Sequence, residues 1–431
     1  MFRTTTSSLM APAAGMLRQP LSKSSTTAAT SFMARYRNAA AASATTRLFS
    51  ISTQSMSPPP PPQHSSLAPG AVRHPRVLVT GSLGQLGSGL VKELRSMYGN
   101  ENVVASDIRK APDEFMATGP FVYADVMNYS MLERIVVDWR IAENCICLVL
   151  QDLFSNLIQS CLILLDWVVH YSALLSAVAE KNPQLALSVN MTGFQNVLEL
   201  AKVHRLRLYS PSTIGAFGPT TPKVNTPDLT IMRPNTIYGI TKLHMELLGE
   251  YYREKFGVDF RSARYPGILS ADTPPGGGTT DYAVDIFHHA IRHGHYDCFL
   301  SKDTRLPMMY LSDCIKGTVD HLTHPTPLPQ TVYNIAAVSF TPEELAAEIR
   351  RHLPDFTISY PDPKNPDFRQ VIADSWPGSL DDSMARRDFG WKEQYGLQNM
   401  VKLMLDKIQA QVDAEKKIGT SNDPTTAAMA A

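Results

Sequence analysis

The residues that most constrain how this chain can fold are Arg76–Met97. Arg76–Thr80 (RVLVT) is a short β-branched run, which predicts a parallel strand buried on both faces. It passes directly into Gly81–Gly87 (GSLGQLG), after which Leu86, Leu90, Val91 and Leu94 recur at helical spacing. Strand, glycine loop and helix in that order predict a dinucleotide-binding turn. Gly81 lets the chain turn sharply, Gly84 lets backbone approach a pyrophosphate, and Gly87 lets helix and strand pack closely. The helix N-terminus then offers free N–H groups and the positive end of its dipole. Gly81, Gly84, Gln85, Leu86 and Gly87 are therefore the expected cofactor loop; a glycine turn without a ligand is the competing reading.

Asp107 ends a second expected strand (Val103–Ser106), 20 residues past Gly87. A carboxylate there suits ribose hydroxyls and repels a 2′-phosphate, which favours NAD over NADP; Arg109 nearby softens that preference. Asp125 and Val126 close a third expected strand (Val122–Asp125), where an adenine contact and a plain strand-end turn stay equally open. Strands at Trp167–Tyr171 and Leu206–Tyr209 alternate with helices at Met131–Trp139 and Leu185–Val203, which predicts an α/β fold with a Rossmann-like, doubly wound parallel sheet. Beyond about Arg264 the alternation weakens, Pro and Gly become common, and helices such as Thr341–Leu353 stand between loops. The expected organisation is an NAD-binding domain over 75–264, a smaller C-terminal substrate-binding portion over 265–417 and a disordered tail over 418–431.

The N-terminus has a different character. No Asp or Glu precedes Glu93, and Met1–Met56 is rich in Ser, Thr and Ala, with Arg3, Arg18, Lys23, Arg35, Arg37 and Arg47 interspersed. That is the composition of a mitochondrial or plastid transit peptide, with a tail of no address as the alternative. Arg47-Leu48-Phe49-Ser50 resembles a matrix-protease cleavage site, and residues 57–74, with Pro58–Pro62, form a stiff linker. The chain carries 40 basic and 40 acidic residues, so there is no electrostatic case for a nucleic-acid partner. Its five cysteines lack the spacing of a disulfide framework or a zinc site, and no metal is expected. Ala142–Leu165 is a dense apolar segment holding three of those cysteines; Glu143, Asp152 and its polar breaks make it a poor transmembrane span.

Tyr238-Gly-Ile-Thr-Lys242 places a tyrosine and a lysine four apart, on one helical face. An ammonium beside a phenol stabilises phenolate and lowers a tyrosine pKa normally near 10. The phenolate can then take a proton from an alcohol while hydride leaves the same carbon. YxxxK is common by chance; order and distance strengthen it. Tyr238 lies 25 residues past Thr213, in Ser210-Pro211-Ser212-Thr213 at the expected tip of the fifth strand, where a hydroxyl can hold the reacting oxygen. His170, His204 and His244 are expected to be structural, and Met308-Met309 core filling.

Taken together, these motifs resemble the extended short-chain dehydrogenase/reductase superfamily. HYSALLSA (His170–Ala177), PSTIGAFGPTTP (Pro211–Pro222), RPNTIYGITKLHMELLGEYY (Arg233–Tyr252), RYPGILSADTPPGGGTTDYAVDIF (Arg264–Phe287), LPMMYLSDC (Leu306–Cys314) and IADSWP (Ile372–Pro377) narrow the resemblance to its L-threonine 3-dehydrogenases, over roughly Pro75–Lys407. The resemblance implies NAD-dependent oxidation of L-threonine to 2-amino-3-oxobutyrate in the mitochondrial matrix by a homodimer paired through its long helices. It implies Tyr238 as general base, Lys242 as its partner and Thr213 beside the substrate hydroxyl. Ser176, Thr279, Thr280 and Asp281 would line the amino-acid site, and Ile268 would contact the nicotinamide. Thr279–Asp281 reads equally well as the N-cap of a helix over Tyr282–Ala290. The family passes directly from Trp139-Arg140-Ile141 to Asp166-Trp167-Val168, so Ala142–Leu165 is an insertion relative to it, either a translated intron or an excursion whose apolar surface needs cover. The alternatives are an extended nucleotide-sugar epimerase or dehydratase, and a catalytically silent NAD-sensing regulator.

Overall fold

The computed structural model describes residues 74–141, 165–274, 276–325 and 327–421. The expected transit peptide, the expected linker up to residue 73, most of the Ala142–Leu165 segment and residues 422–431 of the expected tail lie outside the described residues.

Strand β1 (Arg76–Thr80) is apolar on both faces, and both faces are covered. Val77 and Val79 pack with Leu90 and Leu94 of α1 (Gln85–Tyr98), while Leu78 packs on the opposite side with Val104, Val168, Phe194 and Leu198. Around β1 stand β2 (Val103–Asp107), β3 (Phe121–Tyr123), β4 (Leu165–His170), β5 (Arg207–Tyr209), β7 (Phe260–Tyr265) and β11 (Val332–Asn334), in the order β11-β7-β5-β4-β1-β2-β3; β6 (Ser212–Thr213) also pairs with β7. The pairings within this sheet are parallel. The short helix α2 (Asp113–Ala117) and α3 (Tyr129–Ile141) complete the β2–β4 side. Strand order departs in opposite directions from β1, toward β2 and toward β4, and a doubly wound sheet opens its ligand crevice at such a switch point. Leu165, assigned above to the inserted segment, is the first residue of β4 and pairs with Arg76.

The stretch Leu185–Val203 is helical throughout, as expected, but it is not one regular α-helix. α4 (Ser176–Lys181) and α5 (Pro183–Leu187) lead into a π-helical turn at Ser188–Gly193, and α6 (Phe194–His204) follows. The turn points Asn190 inward. Its Oδ1 accepts from Leu174 N (2.8 Å), and its Nδ2 donates to Leu174 O (3.0 Å) and Thr241 Oγ1 (3.1 Å). Single π-turns inside α-helices are frequent at functional sites.

Helix α7 (Ile237–Phe256) starts where Thr236 Oγ1 accepts from Gly239 N (3.1 Å) and stops at Gly257, in the left-handed region, the usual grammar of helix ends. After β7 the chain turns through Pro266 into β8 (Gly267–Leu269), which joins a second sheet of order β12-β10-β8 with β10 (Leu306–Tyr310) and β12 (Val338–Phe340). α8 (Tyr282–His293), α9 (Leu311–Thr323), α10 (Pro342–Arg350), α11 (Phe368–Ser375), α12 (Ser383–Phe389) and α13 (Leu397–Ser421) follow, with the short pair β9 (His295–Asp297) and β13 (Thr357–Ser359). Helix α13 runs on into the region expected to be tail. No helix among the described residues is long and apolar enough to cross a membrane.

Candidate active site

The ends of β1, β4, β6 and β7 open onto one cleft of about 550 Å3. Gly81, Gly84, Gln85, Leu86 and Gly87 line it, and the loop is built as the spacing predicts. Gly81 has φ +69°, and a Cβ there would lie 2.6 Å from Ser172 N. A Cβ on Gly87 would lie 2.3 Å from Gly81 O. Helix α1 begins after Gly84 without a side-chain cap and without an acid in its first turn, so its first N–H groups stay available to an anion. These residues fit the pyrophosphate of a dinucleotide.

Asp107, Asp125 and Val126 stand outside the cleft lining. Asp107, at the end of β2, is buried; Oδ2 accepts from Leu83 N (3.0 Å) and Oδ1 from Arg109 N (3.0 Å) and Nε (3.1 Å). Burial would raise its pKa, but the bonds from Arg109 and Leu83 outweigh burial and hold the carboxyl below its ordinary range. Its carboxylate thus ties the glycine loop to the strand tip. Asp125 Oδ1 accepts from Met127 N (2.9 Å) and Asp125 O from Asn128 N (2.9 Å), a strand-end turn leading into α3. Val126 O accepts from Asn196 Nδ2 (3.0 Å).

Tyr238, Lys242, Thr213, Ser176, Ile268, Thr279, Thr280 and Asp281 all line the same cleft, although they come from five separate segments. The meeting of Tyr238 and Thr213 depends on a missing side chain. A Cβ on Gly239 would lie 2.1 Å from Gly215 O, so glycine at this position lets α7 settle against the 3₁₀ turn Ile214–Ala216 that Thr213 caps, its Oγ1 accepting from Gly215 N (3.1 Å). Lys242 is buried and donates from Nζ to Pro211 O (2.8 Å), with Nζ 6.0 Å from the Tyr238 ring centroid.

The electrostatics differ from the expected lowering of the tyrosine. Burial pushes the Tyr238 phenol up to about 12, with the Thr213 hydroxyl acting in the opposite direction. Burial likewise brings Lys242 down to about 8, opposed by Glu246. Desolvation disfavours the charged form of both groups, and it outweighs the pairing that the YxxxK spacing predicts. Behind Lys242, Glu246 Oε1 accepts from Arg264 Nε (3.0 Å) and from Ser212 Oγ, and Oε2 accepts from Arg264 Nη2 (2.8 Å). Arg264 Nη1 donates to Asp228 O (2.7 Å) and Asn334 Oδ1 (3.1 Å).

Asp281 occupies the N-cap position of α8 but does not cap it through its side chain. Its Oδ2 accepts instead from Gly276 N (2.6 Å) and Gly278 N (2.8 Å), holding the preceding glycine loop. His170 lies beneath the site with Nδ1 2.9 Å from Thr80 Oγ1; burial, with Lys242 adding to it, pushes its pKa down to about 3, so it is neutral. His204 faces Glu133 at 3.8 Å, burial lowers the pKa of His244, and Met308 and Met309 are fully buried. Asn190, Trp376 and the apolar wall Leu174, Leu175 and Val178 were not singled out from sequence. Trp376 and the wall line the cleft, and Asn190 holds both Leu174 and Thr241.

The model of the NAD dependent epimerase/dehydratase family matches residues 152–336. The mitochondrial L-threonine 3-dehydrogenase of Bos taurus is 52% identical over 333 residues, covering 77% of this chain and 82% of that protein. The crystal structure of L-threonine dehydrogenase from Phytophthora infestans is similar at 50% identity and a TM-score of 0.69, covering 78% of this chain and 99% of that one. The holo form of the GalE-like L-threonine dehydrogenase from Cupriavidus necator is similar at 43% identity and a TM-score of 0.68, covering 78% and 100%.

Proposed function

The chain belongs to the L-threonine 3-dehydrogenases, NAD-dependent oxidoreductases of the epimerase/dehydratase type, and we propose that it oxidises the 3-hydroxyl of L-threonine to the ketone of 2-amino-3-oxobutyrate with Tyr238 as general base. The observation that carries this reading is the convergence of Tyr238, Lys242 and Thr213 on a cleft that also holds a phosphate-ready glycine loop and the Thr279–Asp281 turn.

Gly81–Gly87 would hold NAD, which when bound would supply the acceptor for the hydride of C3. Thr213 Oγ1 positions the substrate hydroxyl, and the Tyr238 phenolate accepts its proton. A buried phenol at about 12 holds its own proton at neutral pH, so formation of the base needs a neighbouring cation. Lys242, still largely charged below about 8, is placed for that part, and its bond to Pro211 O fixes it against the strand tip. The hydroxyls of Ser176, Thr279 and Thr280 suit the substrate carboxylate, and Asp281 suits its ammonium. Ile268, on β8, would hold the nicotinamide end of the bound cofactor, Asp107 would accept from its ribose hydroxyls, and Asp125 and Val126 would serve its adenine end. The protein acts in the mitochondrial matrix as a homodimer; α7 exposes Ile240, Leu247 and Tyr251 beside an open apolar groove, and a second copy would cover them.

The test is NADH formation by the purified protein with L-threonine and NAD. Turnover is expected in the wild type and a loss of at least about 100-fold in Tyr238→Phe, with NAD affinity retained. Tight NAD binding without turnover of L-threonine by the wild type would overturn this reading and point to a cofactor-sensing protein.

A further inference from the structure

We propose that Lys223 is a positioning residue for the substrate end of the cleft, clamping the chain on both sides of Trp376 and so fixing the indole that walls the site. The proposal rests on the functional reading above for its kinetic consequence, but not for its geometry.

Helix α11 ends at Ser375, with Trp376 as its C-terminal boundary. The last carbonyls of a helix have no partners within it. Here a lysine from a distant segment meets them: Lys223 Nζ donates to Asp374 O (2.9 Å) and to Trp376 O (3.0 Å). The main chain of the same residue grips the other side, since Lys223 O accepts from Gly378 N (2.8 Å) and Ser379 N (3.3 Å). Asn225 N then donates to Ser379 Oγ (2.8 Å), and Thr226 N to Ser379 O (3.0 Å). An ammonium at a helix C-terminus is favoured both by its hydrogen bonds and by the dipole.

Position makes this clamp functional. Lys223 lies in the single connection, residues 217–236, that runs from the turn after Thr213 to the start of α7 just before Tyr238. Trp376 lines the cleft that Thr213 and Tyr238 line, and it is buried in one apolar cluster with Ile214, the neighbour of Thr213. One stretch of chain therefore sets both the proton-transfer pair and the wall facing the substrate. The carbonyls it grips flank an aromatic side chain, so an error in their placement moves a large ring. A methionine of similar length cannot donate to either carbonyl, whereas an arginine can reach both.

The test uses the full-length protein. Lys223→Met is expected to raise KM for L-threonine about tenfold, with kcat and KM for NAD within about twofold of wild type, and Lys223→Arg to recover most of the loss. In a Trp376→Ala background, Lys223→Met should add little, because the ring it positions is gone. Acrylamide quenching of Trp376 fluorescence, taken as the difference between each protein and its Trp376→Phe counterpart, should increase in Lys223→Met. The clamp is refuted if that quenching is unchanged, or if Lys223→Met lowers kcat and weakens both substrates together with the melting temperature. If wild type does not oxidise L-threonine but the quenching change is seen, the clamp stands and the functional reading falls.

Discussion

Replacing Glu246 by Gln tests the buried charge network behind the candidate active site. Glu246 follows Lys242 by one helical turn and is only 2% exposed; Arg264 is 4% exposed. Glutamine keeps the shape of the side chain but removes its charge and turns one acceptor into a donor. That NH2 must then face the Arg264 guanidinium in either orientation, meeting Nε and the Ser212 hydroxyl on one side or Nη2 on the other. Arg264 would keep only neutral partners, Asp228 O and Asn334 Oδ1. Removing one member of a buried pair costs about 3–5 kcal/mol because the other charge stays buried, against a total stability of about 5–15 kcal/mol. The midpoint of urea unfolding should fall accordingly at neutral pH. A double-mutant cycle with Arg264→Met should return a coupling of at least about 1.5 kcal/mol. A loss below about 1 kcal/mol with coupling near zero would refute the reasoning, since it would mean that the pair is solvated and not held as described.

Three further outcomes are expected. Burial raises the Asp228 carboxyl to about 6, opposed by Asn334 and Arg264. An acid raised above its unfolded value binds more protons when folded, so its contribution favours the fold at about pH 4 and is lost as pH rises through about 6; Asp228→Asn should therefore gain about 2–3 kcal/mol relative to wild type between pH 4 and 7, and equal differences in unfolding midpoint at both pH values would count against it. Gly239→Ala places a methyl where Gly215 O already stands, so kcat should fall at least about tenfold as α7 lifts from the Thr213 turn, and a wild-type kcat would show that this approach is not needed. Asp107→Ala should weaken NAD binding by titration calorimetry more than NADP binding, because the carboxylate that repels a 2′-phosphate is gone; an equal loss for both would assign Asp107 to the glycine loop alone.

The sheet and its cofactor loop were legible because they rest on local rules. A β-branched run followed by spaced glycines allows few backbones, and Gly81 and Gly87 stand where a Cβ would collide. Tyr238 and Lys242 were legible from helical spacing, and Thr213 from its place at a strand tip. Their charge states were not, because burial is a property of the whole fold: the same spacing in an exposed helix would give the lowered phenol that the pattern predicts. Asn190 was hidden inside a run with ordinary helical periodicity, and its partners Leu174 and Thr241 lie 16 and 51 residues away. Trp376 stands within IADSWP, but nothing in that run says that it faces the cleft, and its carbonyl is held by Lys223, 153 residues earlier. Asp281 lines the cleft, but its bonds to Gly276 and Gly278 depend on a loop whose path glycine spacing does not fix.

The π-turn at Ser188–Gly193 carries a consequence for how this region can change over time. A π-turn holds one residue more than the α-helical turn it replaces, because its hydrogen bonds span five residues and not four. Deleting that residue would leave Phe194, Val197, Leu198 and Ala201 over the sheet they now cover, but it would close the bulge that turns Asn190 toward Leu174 and Thr241. A change of length by a single residue here would therefore alter this wall of the cleft without unpacking the sheet behind it.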